Sequence, residues 1–352
     1  MKVFLTGIAG FIGFYVAKKL ADNGHEVLGV DILNDYYDPS LKYERLKILG
    51  FDYEHIDSGK VVQSNRYDNL SFVYLDILDK KRVLSLFSCY KFTHVCHLLA
   101  QAGIRDSIKN PDSYISVNIV GFFNVLDACR IYKDNIKHFV YASTSAVYGL
   151  NEKMPSSEDN MTDHPLNLYA ASKKSNEVIA HAYSASFNIP TTGLRFFTVY
   201  GPYGRPDMAL YLFAAGIINK TPINVFNNGN MARDFTYIDD VVDGLYNILR
   251  NPAESDSNFD VHNPNSSSSR APYRIYNIGT GHSIKIKDFI NELEVNLGNK
   301  AYKKFLPMQK SEVVESCCDI SKLKNDFDYE ALTSIKDGIK KFADWYKSRI
   351  VR

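Results

Sequence analysis

The sequence predicts an α/β fold: a doubly wound parallel sheet with a smaller C-terminal α/β lobe. Three observations carry this. Short, almost continuously apolar runs alternate with amphipathic ones from Lys2 to Phe196, the pattern of strands covered by helices on both faces. Closely spaced glycines, Gly7, Gly10 and Gly13, join the first strand to the first helix. After Phe196 the alternation loosens and loops lengthen, at 198–206, 227–234 and the Ser/Asn-rich 253–270. Residues 1–196, with 235–252 packing back onto them, are expected to form the first domain. Residues 197–234 and 253–352 are expected to form the second.

Taken in order, Lys2 to Thr6 reads as a buried strand and the glycine turn leads into a helix ending near Asp22. Glu26 to Asp31 is a second strand that ends in an acid. Strand, glycine turn, helix, strand and acid is the order of a dinucleotide-binding βαβ unit, here spaced G-x-x-G-x-x-G. The glycines let the backbone approach a pyrophosphate at the helix N-terminus. Asp31 would accept hydrogen bonds from an adenosine ribose and repel a 2′-phosphate, which favours NAD over NADP. Further strands are expected at Phe72–Leu75, Thr93–Leu98, His138–Ala142 and Thr192–Phe196. Helices are expected from about Asp112 to Ile131 and from Pro165 to about Phe187. Gly7, Asp31, Asp76, Ala100, Thr144 and Phe197 then stand at carboxyl ends of strands, where open α/β sheets bind ligands. The helix near 116–128 is apolar nearly all round, so its second face is covered by a partner subunit or by the core. A last helix starts at Ser334 with Asp337 three residues on, a capping-box variant, and should bury Ile335, Ile339, Phe342 and Trp345.

Composition limits the function classes. The net charge of +1 over 352 residues gives no field for nucleic acid or an anionic membrane. No apolar run approaches the roughly 20 residues that a membrane span needs, so no span is expected. The N-terminus enters a strand without the apolar core of a signal peptide, so a cytoplasmic protein is expected. Five cysteines, Cys89, Cys96, Cys129, Cys317 and Cys318, have no metal-ligand spacing. The adjacent pair is read as two thiols in a reducing compartment.

The candidate chemistry centres on Asn167-Leu-Tyr-Ala-Ala-Ser-Lys173. Tyr169 and Lys173 share a helix face at i, i+4. A cation there lowers a phenol's pKa from its usual value of about 10, so Tyr169 can serve as a base. A second Tyr-x-x-x-Lys, Tyr43 to Lys47, reads as ordinary helix surface. Thr144, at the end of the strand entering Ser143-Thr-Ser145, adds a hydroxyl. Hydroxyl, phenol and lysine beside a nicotinamide make a hydride-transfer site.

Gly7/Gly10/Gly13, Asp31, Thr144, Tyr169 and Lys173 resemble the extended short-chain dehydrogenase/reductases, the NAD-dependent epimerase/dehydratase family, over essentially the whole chain. Asp31-Ile-Leu-Asn-Asp-Tyr-Tyr-Asp-Pro-Ser-Leu-Lys42, His97 to Arg105, Leu194-Arg-Phe-Phe-Thr-Val-Tyr-Gly-Pro202, Gly204-Arg-Pro-Asp-Met-Ala209 and Arg233-Asp-Phe-Thr-Tyr237 are similar to UDP-glucuronate 4-epimerases. That resemblance implies a Rossmann-like NAD domain and a UDP-sugar substrate oxidised at C4 and reduced on the other face, in a homodimer. It implies cofactor contacts from Gly7, Gly10, Phe11, Ile12, Gly13, Asp31, Asn34, Asp76, Ile77, Leu99, Ala100, Gln101, Asn118, Ser143, Tyr169, Lys173 and Phe196. Substrate contacts fall on Thr144, Ser145, Thr198, Val199, Arg205, Met208, Arg233 and Glu312.

Arg205, a planar two-pronged donor, and Thr198 lie where such epimerases hold the sugar carboxylate. Arg233 matches the phosphate-binding arginine. Decarboxylases and dehydratases of the family carry an acid two residues after the catalytic Thr, where this chain has Ala146 before Val147-Tyr-Gly149. Gln309, Lys310-Ser-Glu312 and Cys317-Cys318 depart from the family pattern near the uridine, and Asp106 replaces an aromatic. The competing readings are a neutral UDP-hexose 4-epimerase, a UDP-glucuronate decarboxylase and a non-catalytic NAD sensor. Loss of the tyrosine or lysine would mark the sensor, and both are present.

Overall fold

The computed structural model describes residues 1–52, 56, 59–309 and 312–350. In chain order, β1 (Lys2–Thr6), α1 (Phe11–Asp22) and β2 (Glu26–Asp31) form the first unit of alternation. Then follow α2 (Ser40–Ile48), β3 (Val61–Gln63), β4 (Leu70–Tyr74), α3 (Lys80–Tyr90) and β5 (His94–His97). Next come α4 (Ile104–Lys109), α5 (Pro111–Tyr114), a π-helical segment (Ile115–Gly121), α6 (Phe122–Ile131) and β6 (His138–Thr144). A 3-10 turn (Ser145–Tyr148) precedes α7 (Leu168–Phe187) and β7 (Thr191–Phe196). The remainder is β8 (Thr198–Tyr200), α8 (Ala209–Ile218), β9 (Pro222–Val225), β10 (Ala232–Tyr237), α9 (Ile238–Arg250), β11 (Tyr273–Ile278), β12 (Ser283–Lys285), α10 (Ile286–Leu297), β13 (Tyr302–Phe305), α11 (Ser321–Phe327) and α12 (Ile335–Ile350).

The chain divides into two compact units. The first comprises 1–152, 158–195 and 242–276. Its eight-stranded sheet has the order β11-β7-β6-β5-β1-β2-β4-β3. β1 pairs in parallel with β2 and β5, as do β2 with β4 and β5 with β6, while β3 runs antiparallel at the edge. Strand order therefore reverses at β1, between β2 and β5, which sets a ligand crevice at the carboxyl end of β1. The core is aromatic-rich: Phe4, Phe87 and Phe92 contact one another with ring centroids 5.1 Å apart. Phe122 meets Phe139 and Tyr141 edge-on from α6.

The second unit comprises 153–157, 196–241 and 277–352. β10 pairs in parallel with β8 and antiparallel with β12, and β13 pairs with β9. α12 covers this unit with Ile339 and Phe342 wholly buried, while Ile335 and Trp345 are half-buried. The expected cap forms: Asp337 N donates to Ser334 Oγ at 3.2 Å, and that hydroxyl donates to Asp337 Oδ2 at 2.6 Å.

Three expectations are corrected. Residues 253–276 belong to the first unit, not the second lobe, because β11 joins the edge of the large sheet, where Thr191 N donates to the Pro272 carbonyl at 2.9 Å. Of 235–252, only 242–252 belongs to the first unit. The helix expected over 112–131 forms as one helical run, Pro111–Ile131, with a π-helical segment at 115–121. The same stretch, Pro111–Ile131, is 21 residues long and apolar enough to pass as a membrane span, contrary to the composition argument. It is a core helix: Tyr114, Phe122, Val125 and Leu126 are fully buried.

Candidate active site

The glycine turn is shaped by close approach. Gly7 has φ +81°, and a Cβ on Gly13 would lie 2.0 Å from the Gly7 carbonyl oxygen, so any side chain there would push the turn away from α1. α1 starts at Phe11 with no side chain capping it. Its first N–H groups, from Phe11 and Ile12, thus remain for an anion. Asp31, at the end of β2, is nearly buried; its carboxylate accepts from Ala9 N and Leu33 N, each at 3.1 Å. Turn and acid are therefore one piece. The residues present fit a dinucleotide.

Two buried cations from α2 brace this piece, and the sequence reading missed both. Arg45 Nη1 donates to the Ala9 carbonyl at 2.7 Å and to Tyr37 Oη at 2.8 Å. Lys42 Nζ donates to the Asn34 carbonyl at 2.7 Å and to the Asn34 side-chain oxygen. A signal existed: both sit one position from the apolar residues Leu41 and Leu46 of a short helix, on its inward face. Tyr43 and Lys47, the decoy pair, are half-buried and exposed.

Further expected cofactor residues stand at strand ends of the first unit or on the helical segments beside them. Asp76 Oδ1 accepts from Leu78 N at 2.9 Å, and Ile77 is buried. Leu99 N donates to Thr6 Oγ1 at 3.1 Å. Asn118, buried by the π-helical turn, accepts from Gln101 N at 2.7 Å. Its amide donates to the Gln101 carbonyl at 2.9 Å and to Ser172 Oγ at 3.0 Å. A π-turn rotates the helix relative to its neighbours; here it carries the residue that ties the 99–101 strand end to α7. Asp106 accepts from Gln101 Nε2 and from Tyr114 Oη, and Tyr114 packs edge-on to Tyr169 with centroids 6.3 Å apart.

α7 carries Tyr169 and Lys173, and its N-cap is Asn167, whose side chain accepts from Ala170 N. α7 packs on β6 and on the turn at 145–148, where Thr144 Oγ1 accepts from Ala146 N at 3.2 Å. Tyr169 and Ser145 are half-buried and Thr144 is buried. The Ser143 hydroxyl points inward, donating to Glu177 Oε1 at 2.7 Å. Lys173 is 1 % exposed and its Nζ has no hydrogen-bond partner among the described residues. A buried ammonium without a partner needs one, and ribose hydroxyls of a bound dinucleotide are of the right kind.

Burial pushes the Lys173 ammonium down to about 8, against the attraction of Glu177. Its pKa in the unfolded chain is 10.5, so the folded state binds fewer protons between these values. Stability therefore rises with pH across that window. The burial penalty is fully present below pH 8 and fades toward pH 10.5, amounting to about 3 kcal/mol. Ligand-free Lys173→Met is expected to be more stable than wild type by about that amount at pH 7. Denaturant titrations should show the gap narrowing by pH 10. A gap independent of pH would show that the ammonium is not perturbed.

The second unit holds the expected substrate residues other than Thr144 and Ser145, and the expected cofactor residue Phe196. Thr198 and Val199 sit in β8, opposite Phe235 and Thr236 of β10. Phe196, the last residue of β7, is buried, and Met208 caps α8. Arg205 makes a two-point contact with a carboxylate of its own loop: Nε to Asp207 Oδ1 at 3.0 Å and Nη2 to Oδ2 at 2.6 Å. Arg233 Nη1 donates to the Ala232 and Val314 carbonyls at 2.8 and 3.0 Å, and its Nη2 donates to the Val313 carbonyl at 2.8 Å. Burial lowers the Arg233 pKa, and nearby Glu312 opposes this. Asp234, which follows it, is wholly buried and accepts from Thr280, Gly281 and Cys318, fixing the Cys317-Cys318 segment. All five cysteines are thiols. Gln309 Oε1 is buried without a partner among the described residues; Lys310 and Ser311 lie outside those residues.

Comparison with known proteins gives concordant results. The NAD dependent epimerase/dehydratase family matches residues 3–279. Protein CapI of Staphylococcus aureus is 47% identical over 346 residues, covering 98% of this chain and 98% of that protein. A probable UDP-glucuronate 4-epimerase of Rhizobium meliloti is 38% identical, covering 98% and 97%. Among solved structures, the UDP-glucuronic acid 4-epimerase of Bacillus cereus, in complex with UDP-glucuronic acid and NAD, is 31% identical. It superposes with a TM-score of 0.84 over 99% of this chain and 100% of that one. With the glycine turn, Asp31 and the Tyr169–Lys173 helix in place, the chain belongs to the NAD dependent epimerase/dehydratase family.

Proposed function

We propose that the protein interconverts UDP-glucuronate and UDP-galacturonate, through a transient 4-keto sugar, with Tyr169 as the base. The observation that carries this is the partnerless buried Lys173 ammonium four residues from Tyr169 on α7. NAD, when bound, supplies the acceptor and then the donor of the hydride. Gly7, Gly10, Phe11, Ile12, Gly13 and Asp31 would hold it, with Lys173 on the ribose hydroxyls.

Tyr169 takes the proton of the C4 hydroxyl, Lys173 stabilises the phenolate, and Thr144 holds the same hydroxyl oxygen. The proton returns from Tyr169 to the oxygen after the planar ketone has turned over. The 4-ketone beside a C5 carboxylate is a β-keto acid, which loses carbon dioxide when the C5–C6 bond lies parallel to the carbonyl π orbitals. Arg205 and Thr198 hold the carboxylate out of that alignment, and Ala146 leaves no acid for chemistry at C5 or C6. Arg233 meets the diphosphate, with Glu312 beside it. The similarity to the Rhizobium and Bacillus proteins supports the acidic substrate.

NMR of the product tests this directly. UDP-glucuronate should give UDP-galacturonate with no added reductant and no carbon dioxide. Stoichiometric UDP-pentose would refute it. A homodimer is part of the same proposal: Ile115, Val120, Ile131 and Val178 are exposed on the helical segments 111–131 and α7, apolar surface that a second copy would cover. Val178→Arg is then expected to sediment as a monomer; an unchanged sedimentation coefficient at micromolar concentration would count against this face.

A further inference from the structure

Glu177 lies on α7, one helical turn beyond Lys173, and is fully buried. Its Oε1 accepts from Ser143 Oγ at 2.7 Å and from Arg195 Nε at 2.9 Å, and its Oε2 accepts from Arg195 Nη2 at 2.9 Å. Arg195 is 0 % exposed; its Nη1 donates to the Glu158 carbonyl at 3.1 Å and its Cζ lies 4.9 Å from the centroid of the Tyr148 ring. Ser143 directly precedes Thr144, and Tyr148 closes the turn that Thr144 caps. One carboxylate thus touches the helix of Tyr169 and Lys173, the end of β6 that bears Thr144, and β7.

Such a pair is a poor stabiliser. Desolvation of both ions offsets most of their attraction, and apolar residues of similar volume would pack as well. An apolar pair cannot hydrogen-bond the end of β6, and it brings no negative charge to Lys173. The charged and titratable groups facing Lys173 are few. From its own helix come Tyr169 and Glu177. From β5 comes His97, which burial, and secondarily the Lys173 charge, holds neutral near 3. Arg195 of β7 lies across the Glu177 carboxylate, and Lys174 lies 3.6 Å from Oε2. Glu177 is therefore the one anion set against the ammonium among the described residues.

We propose that Glu177, clamped by Arg195 and Ser143, is a positioning residue for the Thr144–Tyr169–Lys173 group: it locks α7 onto the ends of β6 and β7 and supplies the counter-charge that keeps the buried ammonium protonated. The assignment rests on the hydride-transfer reading of Tyr169 and Lys173. Without that charge, Lys173 loses its proton at lower pH and ceases to stabilise the phenolate.

The test replaces the pair by apolar residues, Glu177→Leu with Arg195→Met, so that neither member of the pair is left buried alone. Protein labelled with 15N-lysine is titrated by NMR, ligand-free and NAD-loaded, with the Lys173 signal assigned from Lys173→Met. The Lys173 midpoint should fall by about one unit or more. The kcat for UDP-glucuronate should fall roughly 10²-fold at pH 8, with KM within about threefold, and the alkaline limb of its pH profile should move down with the NMR midpoint. A double variant with wild-type midpoint, kcat and pH profile would show a merely structural pair and overturn the proposal. If that variant does not fold, Glu177→Gln, which keeps the side-chain shape, is read in the same way below its melting temperature. The titration needs no substrate, so wild-type protein inert toward UDP-glucuronate would overturn the proposed activity and leave the Lys173 measurement to decide this one.

Discussion

Tyr169→Phe is expected to lower kcat by roughly 10²- to 10⁴-fold, the range set by losing a positioned base, while NAD stays bound. The substitution removes only the phenol oxygen. The ring keeps its edge-on packing against Tyr114, and the helix keeps its Asn167 cap. Lys173, Asn118 and the glycine turn are untouched, so the groups that would hold the cofactor remain. Turnover of UDP-glucuronate, measured beside the NAD content of the purified variant, separates the two effects. Lost activity with lost NAD would mean that Tyr169 holds the cofactor rather than moving the proton. Activity near wild type would remove the base assignment altogether.

Much of this was legible in the sequence because it is written locally. The glycines at 7, 10 and 13, the acid ending β2 and the i, i+4 pair on α7 are each fixed by backbone geometry within a few residues. The alternation of buried strands and helices predicted the large sheet for the same reason. What escaped depends on partners far apart in the chain. Nothing local in Ile115–Gly121 announces a π-turn; it is set by Asn118 reaching both Gln101 and Ser172. β11 looked like part of the second lobe because the loops around it are long, and only pairing beside β7 assigns it to the first unit. Arg195 stands within an apolar strand, and a charge in such a run is itself a signal of a buried partner. Its partner, Glu177, could not be named before α7 was placed against β7.

Arg205→Ala is expected to separate the acidic substrate from the neutral one. A two-point charged contact contributes about 3–4 kcal/mol, so kcat/KM for UDP-glucuronate should fall roughly 10²- to 10³-fold. UDP-glucose, with no carboxylate to lose, should change by less than about threefold. Arg205→Lys should not restore the loss, because an ammonium is a point charge without the planar fork. Asp207 sharpens the case. It already sits on the Arg205 fork at 2.6 and 3.0 Å, so a substrate carboxylate would take that fork in place of Asp207. In Arg205→Ala the Asp207 charge loses that partner and repels the substrate carboxylate. The double variant Arg205→Ala/Asp207→Ala should therefore recover part of the loss, a coupling that a double-mutant cycle measures directly. The variant should also release carbon dioxide and some UDP-pentose, since an unheld carboxylate can rotate its bond into line with the ketone. Equal losses on both sugars, with no coupling to Asp207, would reduce Arg205 to a loop contact and reopen the choice of substrate.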